Sequence, residues 1–441
     1  MSALTFRKGG VHPQESKELT EHLAIEEMPL PEQVVIPLSM HFGAIAAPVV
    51  KKKQEVQEGE LIGAVEKGLG APIHSSVTGT VKAIESRPHP IMVRCDAVVI
   101  DVDPAAPARK YETADWSKMT REQLLARVKD AGIVGLGGAG FPTHVKLSPP
   151  PTAPVDLLLL NGAECEPYLT TDHRLMLEHP DKVVEGAKIL LQILGIKRGI
   201  IGIELNKPDA VNAVSKALQQ DSTPDGFDIA VQGMEVKYPQ GSEKQLIYSL
   251  TGRSVPGGGL PFDVGVIVQN ISTTLAVVDA VTMNKPLYEK VVTFSGRAIN
   301  RQANLKVKIG TLLSDVANYL GGTGADLMKI VYGGPMMGFA VSSIDVPVVK
   351  TASGVLFLSS SETDTSDYGP CIHCGWCLDA CPMGLMPKEI GIYVEAGKGH
   401  LTEKFGVNEC FECGCCAYIC PAKRPLVQFA RLAKIEVKKH K

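Results

Sequence analysis

The sequence CIHCGWCLDACP occupies residues 371–382, and CFECGCCAYICP follows at residues 410–421. Both stretches have the spacing C-x2-C-x2-C-x3-C-P, so eight of the eleven cysteines in the chain fall in two matching runs. This spacing is typical of a polypeptide that wraps two [4Fe–4S] clusters. The repeat therefore decides the fold of the C-terminal part, and it predicts a protein that transfers electrons one at a time.

The spacing also predicts which cysteines share a cluster. The first three thiolates of a run wrap one cluster, whereas the fourth, which precedes the proline, reaches the other cluster. We therefore expect cluster one to be held by Cys371, Cys374, Cys377 and Cys420. We expect cluster two to be held by Cys410, Cys413, Cys416 and Cys381. Cys415 lies off the spacing and is predicted not to be a ligand.

Zinc is the main alternative to iron–sulfur clusters, because paired C-x2-C motifs also bind zinc tetrahedrally. A zinc site explains neither the third cysteine of each run nor the cysteine–proline pair at its end. Disulfides are not expected, since no signal peptide opens the sequence and thiols stay reduced inside cells. The pattern therefore favours clusters.

The composition of the whole chain argues against several classes of function. The chain has 441 residues, which suits about three domains, and its 44% hydrophobic and 21% charged content is ordinary for a globular protein. The net charge is −3, and no basic stretch is interleaved with aromatic residues, so nucleic acid is not an expected partner. No apolar run approaches the roughly 18 residues that cross a bilayer.

Short strand patterns separated by glycines follow a polar N-terminal extension. They lie at residues 34–37, 49–50, 61–65, 80–84 and 97–102, with turns at Gly59 and Gly79. This pattern resembles the barrel-sandwich hybrid fold of lipoyl and biotinyl carrier proteins. We therefore expect residues 1–103 to form a barrel-sandwich hybrid domain with an N-terminal extension, followed by a linker rich in proline and alanine.

Residues 120–285 alternate between helix and strand patterns. A capping box, made by Thr120 and Gln123, opens a helix that ends at Gly132. Four strand patterns, each followed by a helical pattern, lie at residues 155–160, 199–205, 228–232 and 264–268. The first of the following helices is predicted to run from 173 to 194. The alternation predicts an α/β domain with a largely parallel sheet.

The remaining sequence predicts two smaller modules, so the whole chain is expected to be a multidomain α/β protein. Residues 286–358 return to strands around one helix, which suits a β-grasp domain. Residues 366–430 contain both cysteine runs and a helical pattern between them, as in the two-cluster domains of bacterial ferredoxins.

A glycine-rich loop, GLGGAGFPTHVK, spans residues 135–146. It matches G-x-G-x-x-G, but a dinucleotide-binding loop should follow a strand, and this one follows a helix. Its glycines still allow the backbone to approach a flat or phosphorylated ligand closely, and Lys146 adds a positive charge. An ordinary surface turn is the alternative.

Polar residues follow two of the predicted strands. Asn161, Glu164 and Glu166 follow the first strand of the α/β domain, and Asn270 and Thr273 follow the last one. Ligands of open α/β sheets bind at the carboxyl ends of strands, and a helix that begins near residue 270 would suit a phosphate. The alternatives are solvated acids at the first strand and ordinary capping of the helix by Asn270.

Three motifs resemble the NADH- and FMN-binding subunit of respiratory complex I and occur in the same order. They are the glycine loop, the sequence NGAECEP at 161–167 and the sequence YPQGSEKQL at 238–246. The N-terminal GGVHP, the barrel-sandwich region and the tandem cysteine runs instead resemble the C subunit (RnfC) of the Rnf ion-translocating electron-transport complexes. That second resemblance covers nearly the whole chain.

The resemblance implies FMN, two [4Fe–4S] clusters and NAD(H) as cofactors. The residues implied at FMN are Gly135, Gly137, Gly138, Lys146, Asn161, Glu164, Tyr238, Gly241, Asn270 and Thr273. The residues implied at NADH are Phe141, Lys146, Glu166, Tyr238 and Glu243. No side chain is implied as a catalytic acid or base, because the cofactor carries the chemistry.

The resemblance further implies a peripheral subunit on the cytoplasmic face of the cell membrane. Such a subunit exchanges electrons between NAD(H) and, indirectly, ferredoxin, and the exchange is coupled to Na+ or H+ translocation. Its implied partners are the other Rnf membrane subunits, including the ferredoxin-like iron–sulfur subunit. Two alternatives stay open: a flavin-dependent cobalamin reductase, whose family has the same parts in another order, and a cluster relay without flavin.

Overall fold

In the computed structural model, which describes residues 4–221 and 226–440, the strands form four β-sheets. The strands are β1 (Ile25–Glu27), β2 (Gln33–Pro37), β3 (Ala47–Pro48), β4 (Glu55–Val56), β5 (Leu61–Ala64), β6 (Ile73–His74), β7 (Gly79–His89), β8 (Val93–Val102), β9 (Leu157–Gly162), β10 (Arg198–Glu204), β11 (Asp228–Met234), β12 (Val266–Asn270), β13 (Glu289–Ser295), β14 (Ala303–Lys308), β15 (Leu327–Tyr332), β16 (Phe339–Val341) and β17 (Gly354–Ser359).

The helices of the described residues lie mainly in the central and C-terminal parts of the chain. They are α1 (Arg121–Asp130), α2 (Thr143–Lys146), α3 (Thr171–Glu178), α4 (Pro180–Leu194), α5 (Pro208–Gln220), α6 (Glu243–Thr251), α7 (Ile271–Met283), α8 (Leu313–Tyr319), α9 (Trp376–Asp379), α10 (Pro387–Glu395), α11 (Cys415–Tyr418) and α12 (Leu426–Lys439). None of these helices is both long enough and apolar enough to cross a membrane.

The central sheet is parallel throughout, with the order β11–β10–β9–β12. Strand β9 is a continuous apolar run because both of its faces are covered, as is usual in parallel sheets. Leu158 and Leu160 pack into the main core with α4 and α7, whereas Leu157 and Leu159 join a second core with α6. The predicted alternation of strands and helices is confirmed in this part of the chain.

The predicted helix over 173–194 differs from the structure, which has two helices there. Helix α3 ends at Glu178, and α4 begins at Pro180. Proline lacks a backbone N–H and disfavours helical backbone in the preceding residue, so His179 adopts φ −136° and ψ 49° instead. The break matters because it lets α3 turn its first residues toward the carboxyl end of β9.

The N-terminal region contains the barrel-sandwich arrangement. One sheet has the order β2–β8–β7–β4 and the other the order β3–β5–β6, and the strands in both are antiparallel. The inward residues of β2, β5 and β8 are fully buried, including Ile36, Ile62 and Ile100. These residues share the main core with the central domain, so the two parts pack closely together.

A six-stranded mixed sheet has the order β1–β14–β13–β17–β15–β16. Val316 of α8 shares the core of this sheet with Phe294 of β13. The edge strand β1 comes from the N-terminal extension, which the sequence pattern treats as polar and rich in turns. Strand β1 has only three residues, and Ile25 is its single apolar side chain. Such a short segment gives no strand pattern in the sequence, so the conformation of β1 depends on pairing with β14.

An N-terminal segment of the chain contacts two parts of the molecule. We call residues 4–17 the strap. Val11 forms an antiparallel bridge with Tyr238 of the central domain, and the Gly10 amide donates to the Ala380 carbonyl (3.0 Å), next to the last cysteine of the first run. The strap therefore joins the central domain to the cysteine-rich domain.

Candidate cofactor-binding site

A cavity of about 580 Å³ opens at the carboxyl ends of β9 and β12. The strand order reverses between these two strands, and Asn161 and Asn270 are register partners at their ends. Such a reversal point is where open α/β sheets bind ligands. All thirteen residues predicted to contact FMN or NADH line this cavity: Gly135, Gly137, Gly138, Phe141, Lys146, Asn161, Glu164, Glu166, Tyr238, Gly241, Glu243, Asn270 and Thr273.

The glycine loop forms one wall of the cavity. The Gly135 amide donates to the Phe141 carbonyl (2.9 Å), which closes the loop, and the Leu136 amide donates to the Thr273 hydroxyl (2.9 Å). A Cβ at Gly137 would lie 2.7 Å from Asn270 Nδ2, so only glycine allows this close packing. The loop is therefore fixed against the start of α7 and is not an ordinary surface turn.

Two features of the cavity fit a flat, polar ligand. A Cβ built on Gly138 would have no neighbour within 4 Å, so the loop leaves open space on this side. The side-chain nitrogen of Gln269 is buried in the wall without a hydrogen-bond partner in the described structure. A buried amide without a partner is costly, and a bound flavin offers acceptor atoms that satisfy it.

A phosphate was expected at the start of α7, but side chains of the protein already accept the hydrogen bonds of the amides there. The Ser272 amide and hydroxyl donate to Asp172 Oδ1 (3.2 and 2.5 Å), and the Thr273 amide donates to Asn270 Oδ1 (3.2 Å). Asn270 therefore caps α7, which was the alternative to a phosphate site. Asp172 was missed by the sequence analysis, because its position at the start of α3 becomes significant only once α3 packs against α7.

The two acids after β9 are half-buried and hydrogen-bonded to backbone amides rather than freely solvated. Glu164 accepts from the amides of Asp172 (2.7 Å) and His173 (3.1 Å) at the start of α3. Glu166 accepts from the amides of Met336 (3.1 Å) and Met337 (3.0 Å). Burial raises the pKa of each of these two carboxyls to about 7.

Two lysines line the large cavity. Lys146 forms an ion pair with Glu243 (2.6 Å), which joins the end of the glycine loop to the start of α6. Lys290 on β13 is buried, its ammonium group donates to the Lys350 carbonyl (2.8 Å), and burial lowers its pKa to about 7. Lys290 was not predicted, because nothing in its local sequence distinguishes it from other lysines on strands.

The eight cysteines of the two runs line two separate small cavities. One is lined by Cys371, Cys374, Cys377 and Cys420, and the other by Cys410, Cys413, Cys416 and Cys381. Each cavity therefore combines three thiols of one run with the last thiol of the other, which is a donor set suited to a [4Fe–4S] cluster. Cys415 is buried and lines neither of these two cavities. Ligation by these particular residues stays a prediction.

The large cavity and the second cysteine cavity share a wall. Phe411 lines both of them. The Tyr238 hydroxyl donates to the Cys413 carbonyl (2.7 Å) and lies 3.3 Å from Glu166 Oε1. The side chains of Val11, Tyr238 and Cys413 belong to one small apolar cluster. The strap therefore packs against the contact between Tyr238 and Cys413.

Comparisons with known proteins agree with this division of the chain. The family model of the RnfC barrel sandwich hybrid domain matches residues 4–105, that of the Nuo51 FMN-binding domain matches residues 128–279, and that of the 4Fe-4S dicluster domain matches residues 370–423. The fold prediction is therefore confirmed. The prediction that the cofactors are FMN, iron–sulfur clusters and NAD(H) is also confirmed. The alternatives of a zinc site and of a cluster relay without flavin are wrong.

Curated relatives match nearly the whole chain. The C subunit of the proton-translocating ferredoxin:NAD(+) oxidoreductase complex of Clostridium ljungdahlii is 45% identical, over 97% of this chain and 93% of the relative. The C subunit of the Na(+)-translocating ferredoxin:NAD(+) oxidoreductase complex of Acetobacterium woodii is 42% identical, over 98% of this chain and 96% of the relative.

The fold also resembles that of a solved hydrogenase structure. A chain of the NAD+-reducing [NiFe]-hydrogenase in the H2-reduced state has a TM-score of 0.51 and 18% sequence identity. The alignment covers 74% of this chain and 62% of the hydrogenase chain. At that identity the likeness concerns the fold alone.

Proposed function

This chain belongs to the RnfC family, the C subunits of the Rnf ion-translocating ferredoxin:NAD+ oxidoreductase complexes, and on that premise we propose that it connects NAD(H) to the iron–sulfur part of such a complex. It exchanges a hydride between NAD(H) and FMN in the large cavity, and it passes single electrons through the two clusters. The overall reaction joins NAD(H) to ferredoxin and is coupled to the translocation of Na+ or H+.

The observation that carries this proposal is the shared wall between the large cavity and the second cysteine cavity. Tyr238 lines the large cavity and donates to the backbone of Cys413, and Phe411 lines both spaces. A group bound in the large cavity would therefore lie next to a cluster held by Cys410, Cys413, Cys416 and Cys381. We place cluster two first on the electron path from the flavin and cluster one after it.

The residues of the cavity bind and orient the reactants. The glycine loop, Asn161 and Gln269 hold FMN, which when bound accepts two electrons and releases them singly. Glu166, Tyr238 and the Lys146–Glu243 pair receive the nicotinamide nucleotide. Tyr238 is only 2% exposed, so the wall between the reactants and cluster two excludes water.

Cluster one lies where electrons can leave the chain. Cys374 is exposed, and its neighbours Ile372 and Trp376 are 63% and 51% exposed. Large apolar side chains on a surface often mark an interface. We propose that this face meets the ferredoxin-like iron–sulfur subunit of the complex, with the chain bound peripherally on the cytoplasmic face of the membrane.

Anaerobic purification followed by cluster reconstitution tests the proposal. About one FMN should remain with each chain, and NADH should bleach the visible spectrum of the flavin and then that of the clusters. A protein that retains no flavin, or whose spectrum NADH leaves unchanged, contradicts the proposal.

A substitution in the glycine loop sharpens this test. Gly138→Val introduces a side chain into open space, so the fold should persist while flavin retention falls at least about tenfold through direct blockage. Gly369→Val is the matched control, since a Cβ at Gly369 also has no neighbour within 4 Å and lies outside the cavity. Equal flavin content in the two variants would place FMN elsewhere.

The cobalamin reductase alternative is disfavoured by the order of the domains. The barrel-sandwich domain precedes the FMN-binding domain here, and the cluster domain follows it. The curated relatives that match almost the whole chain carry the ferredoxin:NAD(+) oxidoreductase name.

A further inference from the structure

The hairpin formed by β7 and β8 ends in an exposed apolar tip. Ile91, Met92 and Val93 are 49%, 45% and 81% exposed. In the part of the chain that the structure describes, no other three consecutive large hydrophobic residues are all exposed. Single exposed apolar residues are common on proteins, whereas a contiguous apolar group often marks a contact site. The tip is therefore a candidate interaction surface.

The tip lies at the end of a long two-stranded ribbon. Strand β8 pairs with β2 only as far as Ala97, and β7 pairs with β4 only at its first two residues. The end of the hairpin, from Ser86 to Asp96, lies beyond both of these pairings. The hairpin therefore carries its tip past the neighbouring strands of the sheet.

The tip is held in one conformation by His89. The buried His89 ring accepts hydrogen bonds at Nδ1 from the amides of Ile91 (3.1 Å) and Met92 (3.0 Å). Because Nδ1 is the acceptor, Nε2 carries the hydrogen and donates to the Ser39 carbonyl (2.9 Å). A segment that is already ordered loses little conformational entropy when it meets a partner. The three apolar side chains are therefore preorganised for contact.

Val93 adopts a backbone conformation that its side chain disfavours. Its φ is +65°, in the left-handed region, where a β-branched residue is an outlier and glycine is the usual choice. A valine that is 81% exposed gains little from packing within the chain, so packing does not offset this strain. Strain of this kind is concentrated at functional sites. It indicates that the exposed Val93 side chain has a binding role.

Charge and area favour a lipid surface over a protein partner. Residues 86–95 contain two arginines and neither aspartate nor glutamate. Arg87 pairs with Glu85 (3.2 Å), whereas exposed Arg94 donates to the Ser86 carbonyl (2.6 Å). Even aromatic side chains bury only about 150–250 Å² each, so three partly exposed aliphatic ones offer well under the roughly 800 Å² that each partner buries in a stable protein interface. An anionic bilayer suits both features, because it takes up small apolar segments and attracts arginines.

We propose that the tip of the β7–β8 hairpin inserts into the surface of an anionic lipid bilayer. Ile91, Met92 and Val93 enter the boundary between headgroups and acyl chains, and Arg87 and Arg94 lie at the level of the lipid phosphates. Both contributions matter, because the binding of peripheral segments scales with buried apolar area and with attraction to anionic lipids. This inference goes beyond the proposed function and does not depend on the binding of FMN or NAD(H).

Flotation of the full, reconstituted chain with lipid vesicles tests the proposal. The wild type should bind vesicles of equal parts phosphatidylglycerol and phosphatidylcholine about tenfold more tightly than vesicles of phosphatidylcholine alone, and added salt should weaken this binding. Ile91→Glu should weaken binding to the mixed vesicles at least about tenfold, because an anion replaces an inserted apolar group. Leu205→Glu is the matched control, since Leu205 is also 49% exposed but follows β10 in the central domain.

Val93→Gly separates a binding role from a structural one. It should weaken binding to the mixed vesicles roughly 5- to 30-fold through lost apolar contact. Its melting temperature should not fall, because glycine adopts a positive φ without strain. A structural role for the valine predicts the opposite pair of results.

Four outcomes overturn the proposal. They are a wild type that floats with neither kind of vesicle, a wild type that binds both kinds equally, and wild-type affinity in either Ile91→Glu or Val93→Gly. Flavin retention and reduction by NADH should be the same in wild type and both hairpin variants. Failure of this inference would therefore leave the proposed function standing.

Discussion

Glu166 is a residue whose protonation should affect the stability of the whole chain. It is half-buried, it accepts from the Met336 and Met337 amides, and desolvation raises its pKa from 4.5 to about 7. The folded state therefore favours the neutral carboxyl more than the unfolded state does. The stability that this neutral form provides is fully present below pH 4.5 and is lost as the pH rises through about 7.

Glu166→Gln should remove this pH dependence, because an amide cannot ionise. Ionisation of Glu166 should lower the free energy of unfolding of the nucleotide-free wild type by up to about 3 kcal/mol between pH 4.5 and 8. The variant should not show this decrease. Melting temperatures measured across this range check the expectation. Glu112→Gln, an exposed substitution in the linker, is the control, and parallel curves for all three proteins would show that Glu166 does not titrate as expected.

The pairing of cysteines across the two runs gives a second prediction at the residue scale. Cys420 lies in the cavity of the first run and Cys381 in that of the second. After reduction, Cys420→Ser should leave the same residual paramagnetic spectrum as Cys374→Ser, and Cys381→Ser the same as Cys410→Ser. Each variant should hold about four of the eight irons.

Cys415→Ser is the control for the cysteine variants. Cys415 lies in the second run but outside both cysteine cavities, so this variant should keep all the iron and both signals. If Cys420→Ser instead gives the spectrum of Cys410→Ser, each run holds its own cluster.

At the scale of the element, the strap matters most, because it fixes both the cavity and its contact with cluster two. The Lys17 ammonium donates to the carbonyls of Glu164 (2.9 Å), Glu166 (2.9 Å) and Leu169 (2.6 Å) and so holds the segment after β9. Gly9 has φ +67°, and a Cβ there would lie 2.5 Å from the Cys381 carbonyl carbon. The strap therefore touches the cysteine domain with no room for a side chain.

Gly9→Val should push the strap away from the cysteine domain. The expected result is normal reduction of FMN by NADH but slower reduction of the clusters, together with a loss of about 1–3 kcal/mol of stability from steric strain. Stopped-flow spectroscopy separates the flavin and cluster phases. Gly195→Val is the matched control, because Gly195 has φ +69° but no neighbour within 4 Å of the added Cβ. Equal cluster rates in both variants would show that the strap does not set this contact.

Sequence patterns predicted those parts of the structure that are determined by residues close together in the sequence. The apolar run of β9 indicated the sheet, and the glycine loop indicated a wall of the cavity. Ligands bind at strand ends, which pointed to Asn161 and Asn270, and the structure places these two residues side by side. The same reasoning missed the break before Pro180, because the apolar pattern continues through it.

The remaining features arise from packing between distant segments. Asp172 caps α7 only once α3 packs against that helix, and Lys290 lines the cavity only because β13 lies beside it. The pairing of Val11 with Tyr238 has no local signal either. At the scale of the whole molecule, the site is therefore a product of tertiary contacts among all the domains.

The strap also has a consequence for how the protein is made. Gly10 and Val11 are synthesised long before their partners, because Ala380 and Tyr238 lie far later in the sequence. Contacts between such distant residues form late. The wall behind cluster two therefore cannot close before Ala380 has been synthesised.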